Sequence, residues 1–235
     1  MKDEINTLRQ PIGFSVPGFK QPAAPSSDPM RGRFCSLERL RPDTHARDLY
    51  DANVRDTDGR MWTYLPYGPF ESYDAYRSWM DTTCLGNDPL FLVIVPNATG
   101  KAAGVGAFMR VDATNGVVEI GHLSFSPLLQ RTPAATEALV LMIERVFESG
   151  YRRCEWKCNA LNEPSRTAAL RLGFKYEGLF RQAGVVKGRN RDTAWFSIID
   201  GEWPALKTVY AKWLDPSNFD GDGKQKVRLS EQTRV

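Results

Sequence analysis

Between Val117 and Gly150 the chain reads V-V-E-I-G-H-L-S-F-S-P-L-L-Q-R-T-P-A-A-T-E-A-L-V-L-M-I-E-R-V-F-E-S-G. A β-branched run broken by a glycine leads through a short polar turn into Ala135, Ala138, Leu139, Met142, Ile143, Val146 and Phe147, which recur at helical spacing. The stretch predicts strand, turn and helix. Thr132-Pro133 is a helix N-cap followed by a first-turn proline, and Gly150 is a stop. Gln130, Arg131, Thr132, Pro133, Ala134 and Ala135 then form the mouth of a helix, where free amides and the dipole favour an anion such as a pyrophosphate. Taken alone, such a mouth is more often purely structural.

The flanking segments extend this unit into a sheet. Phe34 to Leu40 alternates as a first strand, Pro42-Asp43 opens a helix, and Ser72 to Thr82 reads as a second helix. Phe91-Leu92-Val93-Ile94-Val95 is continuously apolar, the mark of a strand covered on both faces. Strands over Lys101 to Val111 and Val117 to Ser126 follow across short turns, so these three are antiparallel neighbours. After the helix comes the strand Arg153 to Cys158, and strand, helix, strand in that order gives a parallel crossover. Lys175 to Phe180 and Thr193 to Ile199 pair last, before a helix from Trp203 to Leu214. The fold class is therefore α/β (α+β), a mixed, mostly antiparallel central sheet of about seven strands flanked by helices.

Three regions are expected. Residues 1–32 hold five prolines, which exclude a helix or a central strand, yet Ile5, Leu8, Ile12, Phe14, Val16 and Phe19 are too apolar for a free tail. They read as an extended arm, laid across the domain or across the partner subunit of a homodimer, the alternative being a disordered segment. Residues 33–214 form one catalytic domain, and 215–235 a polar, mobile C-terminal tail.

Charge and cysteines narrow the function. With 31 Lys and Arg against 28 Asp and Glu, the net charge of +3 is too evenly spread to imply a polyanion binder, so nucleic acid is not expected as a substrate. No apolar run suits a membrane span or a signal peptide, which makes the cytoplasm the expected compartment. The four cysteines follow no zinc spacing, and no metal is expected. Cys154 and Cys158 on one strand would lie about 13 Å apart, too far for a disulfide.

Glu119-Ile120-Gly121-His122, Gln130 to Ala135 and Thr136-Glu137-Ala138, read with Asn162-Glu163-Pro164-Ser165-Arg166 and Leu172-Gly173-Phe174, resemble the acyl-CoA core of the GCN5-related N-acetyltransferases, particularly the branch of ribosomal-protein N-terminal acetyltransferases. The resemblance covers roughly residues 34 to 204. Arg131 and Pro133 depart from it, standing where the family has glycine; Pro133 removes a backbone donor and Arg131 would restore the attraction.

The resemblance implies the acyl-CoA N-acyltransferase fold, acetyl-CoA as co-substrate and an amine acceptor. It implies a bulge at Gly121 that turns the backbone of Leu123, Ser124 and Phe125 toward the pantetheine, with Asn162 bonding the pantetheine arm and Ser165 donating to the leaving thiolate. Glu119 is the first candidate for the general base and His122 the second; a satisfied core histidine is an equally good reading of the latter. Simple alternation puts the two on opposite faces unless the bulge shifts the register.

Trp62, Tyr64 and Tyr67 sit in an aromatic, proline-punctuated loop that caps a core or borders the acceptor pocket. Arg181, with Lys187, Arg189 and Arg191, would favour an acceptor carrying carboxylate or phosphate, or else be solvated surface. Three functions stay open: transfer of acetyl to a small amine or amino-acid-like molecule, transfer to a protein N-terminus, and a non-catalytic acyl-CoA sensor or scaffold.

Overall fold

Every strand of the central sheet except the edge strand Lys175–Val186 buries apolar side chains, and the sheet carries a core on each face. The computed structural model describes residues 3–233. A two-stranded hairpin, β1 (Glu4–Ile5) and β2 (Pro11–Ile12), precedes β3 (Met30–Arg31), β4 (Cys35–Arg39), α1 (Pro42–Asn53), α2 (Tyr73–Thr83), β5 (Leu90–Pro96), β6 (Gly104–Asp112) and β7 (Val117–Phe125). Then come α3 (Pro133–Glu148), β8 (Arg153–Asn159), α4 (Glu163–Arg171), β9 (Lys175–Val186), β10 (Arg189–Ile199), α5 (Trp203–Leu214) and the short α6 (Leu229–Gln232).

Eight strands form the sheet, in the order β3-β4-β5-β6-β7-β8-β10-β9, and only β7 and β8 run parallel. The extra strand relative to the sequence expectation is β3, a two-residue edge in which Met30 pairs with Leu37 and is buried. The sheet thus starts inside the stretch assigned to the arm.

One core lies between the sheet and α3, α4 and α5, and includes Phe108, Ile120, Ile143, Trp156, Phe174 and Tyr210. The other, under α1 and α2, includes Leu49, Trp62, Tyr76, Met80 and Phe91. β5 feeds both: Leu92 and Ile94 face one core, Phe91 and Val93 the other, which is why its sequence does not alternate. Glu137 of α3 is buried, but its carboxylate accepts from the backbone amides of Arg33, Phe34 and Cys35 at 2.6–2.9 Å, so a charge in the core is fully bonded.

The proline-rich arm crosses the base of the domain. Tyr151 Oη donates to Ala23 O at 3.0 Å, Arg145 Nη1 to Ser26 O at 3.0 Å, and Phe19 lies under the Arg152 guanidinium. The C-terminal expectation is corrected. Residues 215–233 fold back onto the domain: Phe219 and Leu229 are buried, Trp213 Nε1 donates to Gln225 and Val227, and Thr233 Oγ1 donates to Arg171 O. Its polar composition hid two apolar anchors spaced ten residues apart. Among the described residues no helix is long and apolar enough to cross a membrane.

Candidate active site

The β6–β7 ladder slips twice, between Met109 and Asp112 and again between Val105 and Ala107, and the second slip shapes the site. Val105 pairs with Ser124 and Ala107 with Gly121, so His122 and Leu123 together oppose Gly106 alone. This is a bulge, and His122 sits in the left-handed region at φ 51°. Next to it, a Cβ on Gly121 would stand 2.4 Å from the Met109 sulfur, so any larger residue there would have to displace the Met109 side chain. The slip puts Glu119 and His122 on the same face, correcting simple alternation.

The same strand parts from its other neighbour. β7 and β8 pair only over Val117–Glu119 and Arg153–Glu155, and beyond that point they separate. The opening is a cleft of about 340 Å³, reached by His122 and Leu123 from β7, Trp156 and Cys158 from β8, and Asn162 and Ser165 from α4. Asn162 caps α4 by accepting from Ser165 N at 3.2 Å, and Ser165 Oγ accepts from Trp156 Nε1 at 3.0 Å. Where β7 ends, a turn leads into α3. Gln130 Nε2 donates to Phe125 O at 2.7 Å, Arg131 takes φ 62°, and Thr132 Oγ1 accepts from Ala135 N. Arg131 holds the left-handed position that glycine would fill without strain. Pro133 is at the first helical position, where a missing N–H breaks no helical bond.

The cleft floor carries a relay of charge. Glu119 Oε2 accepts from Arg110 Nη1 at 2.6 Å and lies 3.0 Å from Lys157 Nζ, which is 2.6 Å from Glu155. Arg153 links Glu155 at 2.8 Å to Glu177 at 2.5 Å. Lys157 also sits over the Trp195 ring, 3.9 Å from its centroid. His122 stacks against Tyr67 and packs at a tilt against Phe91, and its pKa is lowered, first by burial and then by the Arg110 charge. Burial also raises the Cys158 thiol, which stays protonated.

The structure brings together Glu119, His122, Leu123, Asn162, Ser165 and Tyr64 around the cleft, while Ser124, Phe125 and Gln130 to Ala135 lie beyond its lining, toward its open end. Three acceptor-side expectations change. Trp62 is 5% exposed and belongs to the core because its ring is caged by Tyr67 and Phe70. Tyr67 backs His122 rather than facing the cleft. Arg181 is exposed on β9, and Arg191 of β10 lines the cleft instead. Sequence reasoning misses Arg110 and Lys157, which both line the cleft. Lys157 was findable, since Glu155 and Lys157 are two apart on one strand face; Arg110 reaches Glu119 only across the ladder, from a residue at φ 49°. Among the described residues no cluster of potential metal ligands occurs.

A sheet that opens beside a bulged strand, with a capped helix mouth at the open end, defines an acyl-CoA N-acyltransferase fold. Residues 36–175 match the family model described as the Acetyltransferase (GNAT) domain, and the chain belongs to that family of N-acetyltransferases. It is similar to a GCN5-related N-acetyltransferase from Brucella melitensis, with TM-score 0.91 and 44% identity over 94% of this chain and 100% of that one. It is also similar to the uncharacterized N-acetyltransferase p20 of Bacillus licheniformis, at 29% identity over 164 residues, 66% of this chain and 91% of the relative. The fold is shared with the microcin C7 self-immunity acetyltransferase MccE, solved with acetyl-CoA and AMP, at TM-score 0.63 and 24% identity over 72% of this chain and 93% of that one.

Proposed function

We propose that this chain moves an acetyl group from acetyl-CoA directly to the primary amine of a small molecule. The parting of β7 and β8 after a short parallel pairing carries the reading, because it leaves a strand edge and a slot where a pantetheine fits. The residues that would hold the co-substrate are the edge of Leu123, Ser124 and Phe125, the Asn162 amide, and the mouth from Gln130 to Ala135 with Arg131 beside it. Acetyl-CoA, when bound, supplies an activated thioester. MccE, a protein of the same fold, was solved with that molecule.

The chain's own groups have separable tasks. Amides on the free edge of the bulged strand are donors for a polarised carbonyl. His122 is held neutral by its surroundings and accepts the ammonium proton. Glu119, the first candidate by sequence, is already engaged by Arg110 and Lys157, so its task is to position the cleft floor. The Ser165 oxygen is oriented by Trp156 Nε1, leaving its own proton to donate to the departing thiolate.

A small acceptor is supported by the way the aromatic loop is fastened over the cleft. Tyr64 Oη donates to Leu161 O at 2.9 Å on one side, and Lys187 Nζ donates to Trp62 O at 2.8 Å and Gly68 O at 2.7 Å on the other. A peptide N-terminus would need an open groove there. The cytoplasm is the compartment we propose; the four free, buried cysteines support it. The test is calorimetry with acetyl-CoA together with a thiol-release assay over small amines and short peptides. Binding with release driven by small amines is expected; binding without amine-dependent release, or release with peptides alone, would overturn the reading.

A further inference from the structure

The relay across the cleft floor balances itself, three cations alternating with three carboxylates from Arg110 to Glu177. Arg191 stands outside it. Its Nε donates to Thr193 Oγ1 at 3.2 Å, and among the described residues no carboxylate pairs with its guanidinium. It lines the cleft, where the one carboxylate is Glu119, already engaged twice. The neighbouring acid, Asp192, points its Oδ1 at Gln182 N and Asn190 Nδ2. On the far side Arg110 spends one nitrogen on Glu119 while its side chain remains 59% exposed.

An acceptor bearing only an ammonium would enter a cleft with an unpaired cation and no free acid to greet it. A planar guanidinium with two unused nitrogens matches the paired oxygens of a carboxylate or phosphate. We propose that the acceptor amine carries such an anionic oxyacid group and that Arg191 grips it, with the open side of Arg110 as a second contact. This rests on the reading of the cleft as an N-acetyltransferase site and names the class of acceptor it takes.

Matched amines test it: phosphoethanolamine against ethanolamine, and 4-aminobutyrate against butylamine, each at saturating acetyl-CoA with thiol release as readout. The anionic member should be the better substrate by about tenfold or more in kcat/KM. Arg191→Gln should raise its KM by a similar factor, Arg191→Lys should restore part of it, and the calorimetric Kd for CoA should stay within about twofold. Equal or better use of the uncharged partners, or an Arg191→Gln defect in CoA binding instead of acceptor KM, overturns the inference and leaves acetyl transfer standing. If no amine releases thiol, binding of phosphoethanolamine to the CoA-loaded protein decides: Arg191-dependent binding upholds the anion site while the transferase reading fails, and no binding ends both.

Discussion

The Tyr67 ring lies flat against the His122 imidazole, centroids 5.7 Å apart and planes 14° apart, with Phe91 closing on the imidazole at 4.9 Å. An imidazole packed between two aromatic rings is desolvated, and the positive Arg110 nearby disfavours its protonation further. The acid limb of kcat/KM should therefore fall below the ordinary histidine value of 6.5, and His122→Gln should lower the rate roughly 10²- to 10⁴-fold while abolishing that limb. A pH–rate profile from about pH 5 to 9 checks both.

The same lowered pKa sets the sign of a stability effect. The unfolded chain takes up the His122 proton before the folded one does, so stability falls as pH drops through the unfolded value near 6.5 and goes on falling to the lower folded value. Thermal unfolding of wild type and His122→Phe between pH 7 and pH 5 should show the smaller loss in the variant.

Lys157 holds two buried carboxylates, Glu119 and Glu155, whose side chains are 4% and 10% exposed. Lys157→Met leaves both short of a partner, and a loss of about 3 kcal/mol in urea unfolding is expected. A change below about 0.5 kcal/mol would show that the relay is a surface feature.

Arg131 occupies a left-handed position at φ 62° that glycine adopts freely. Arg131→Gly should raise stability by about 1 kcal/mol while weakening acetyl-CoA binding and flattening its salt dependence. Denaturation and calorimetry at two salt concentrations separate the two effects.

Truncation after Leu214 removes Phe219 and Leu229 from the core and strips both acceptors from Trp213 Nε1. A destabilisation of about 3 kcal/mol or more is expected by denaturant unfolding.

Local rules sufficed where sequence neighbours make the structure. The α3 cap at Thr132, the strand β5 with its unbroken apolar run, and the parallel return of β8 all follow from patterns a few residues long. Long-range pairings were less legible. Arg191 lines the cleft while Arg181 is exposed on the edge strand β9, and the β9–β10 pairing that carries them shifts register twice. Trp62 and Tyr67 sit side by side in the aromatic loop, and their burial depends on how that loop docks onto α2 and β7. The C-terminal segment misled because two apolar residues among many polar ones carry its packing.

A crystal structure with CoA bound tests the central claim most directly. The pantetheine should run between residues 122–125 of β7 and 156–159 of β8, its sulfur near Ser165 and its phosphates at the 130–135 turn. CoA seated elsewhere, or β7 and β8 hydrogen-bonded along their whole length in the complex, would contradict it.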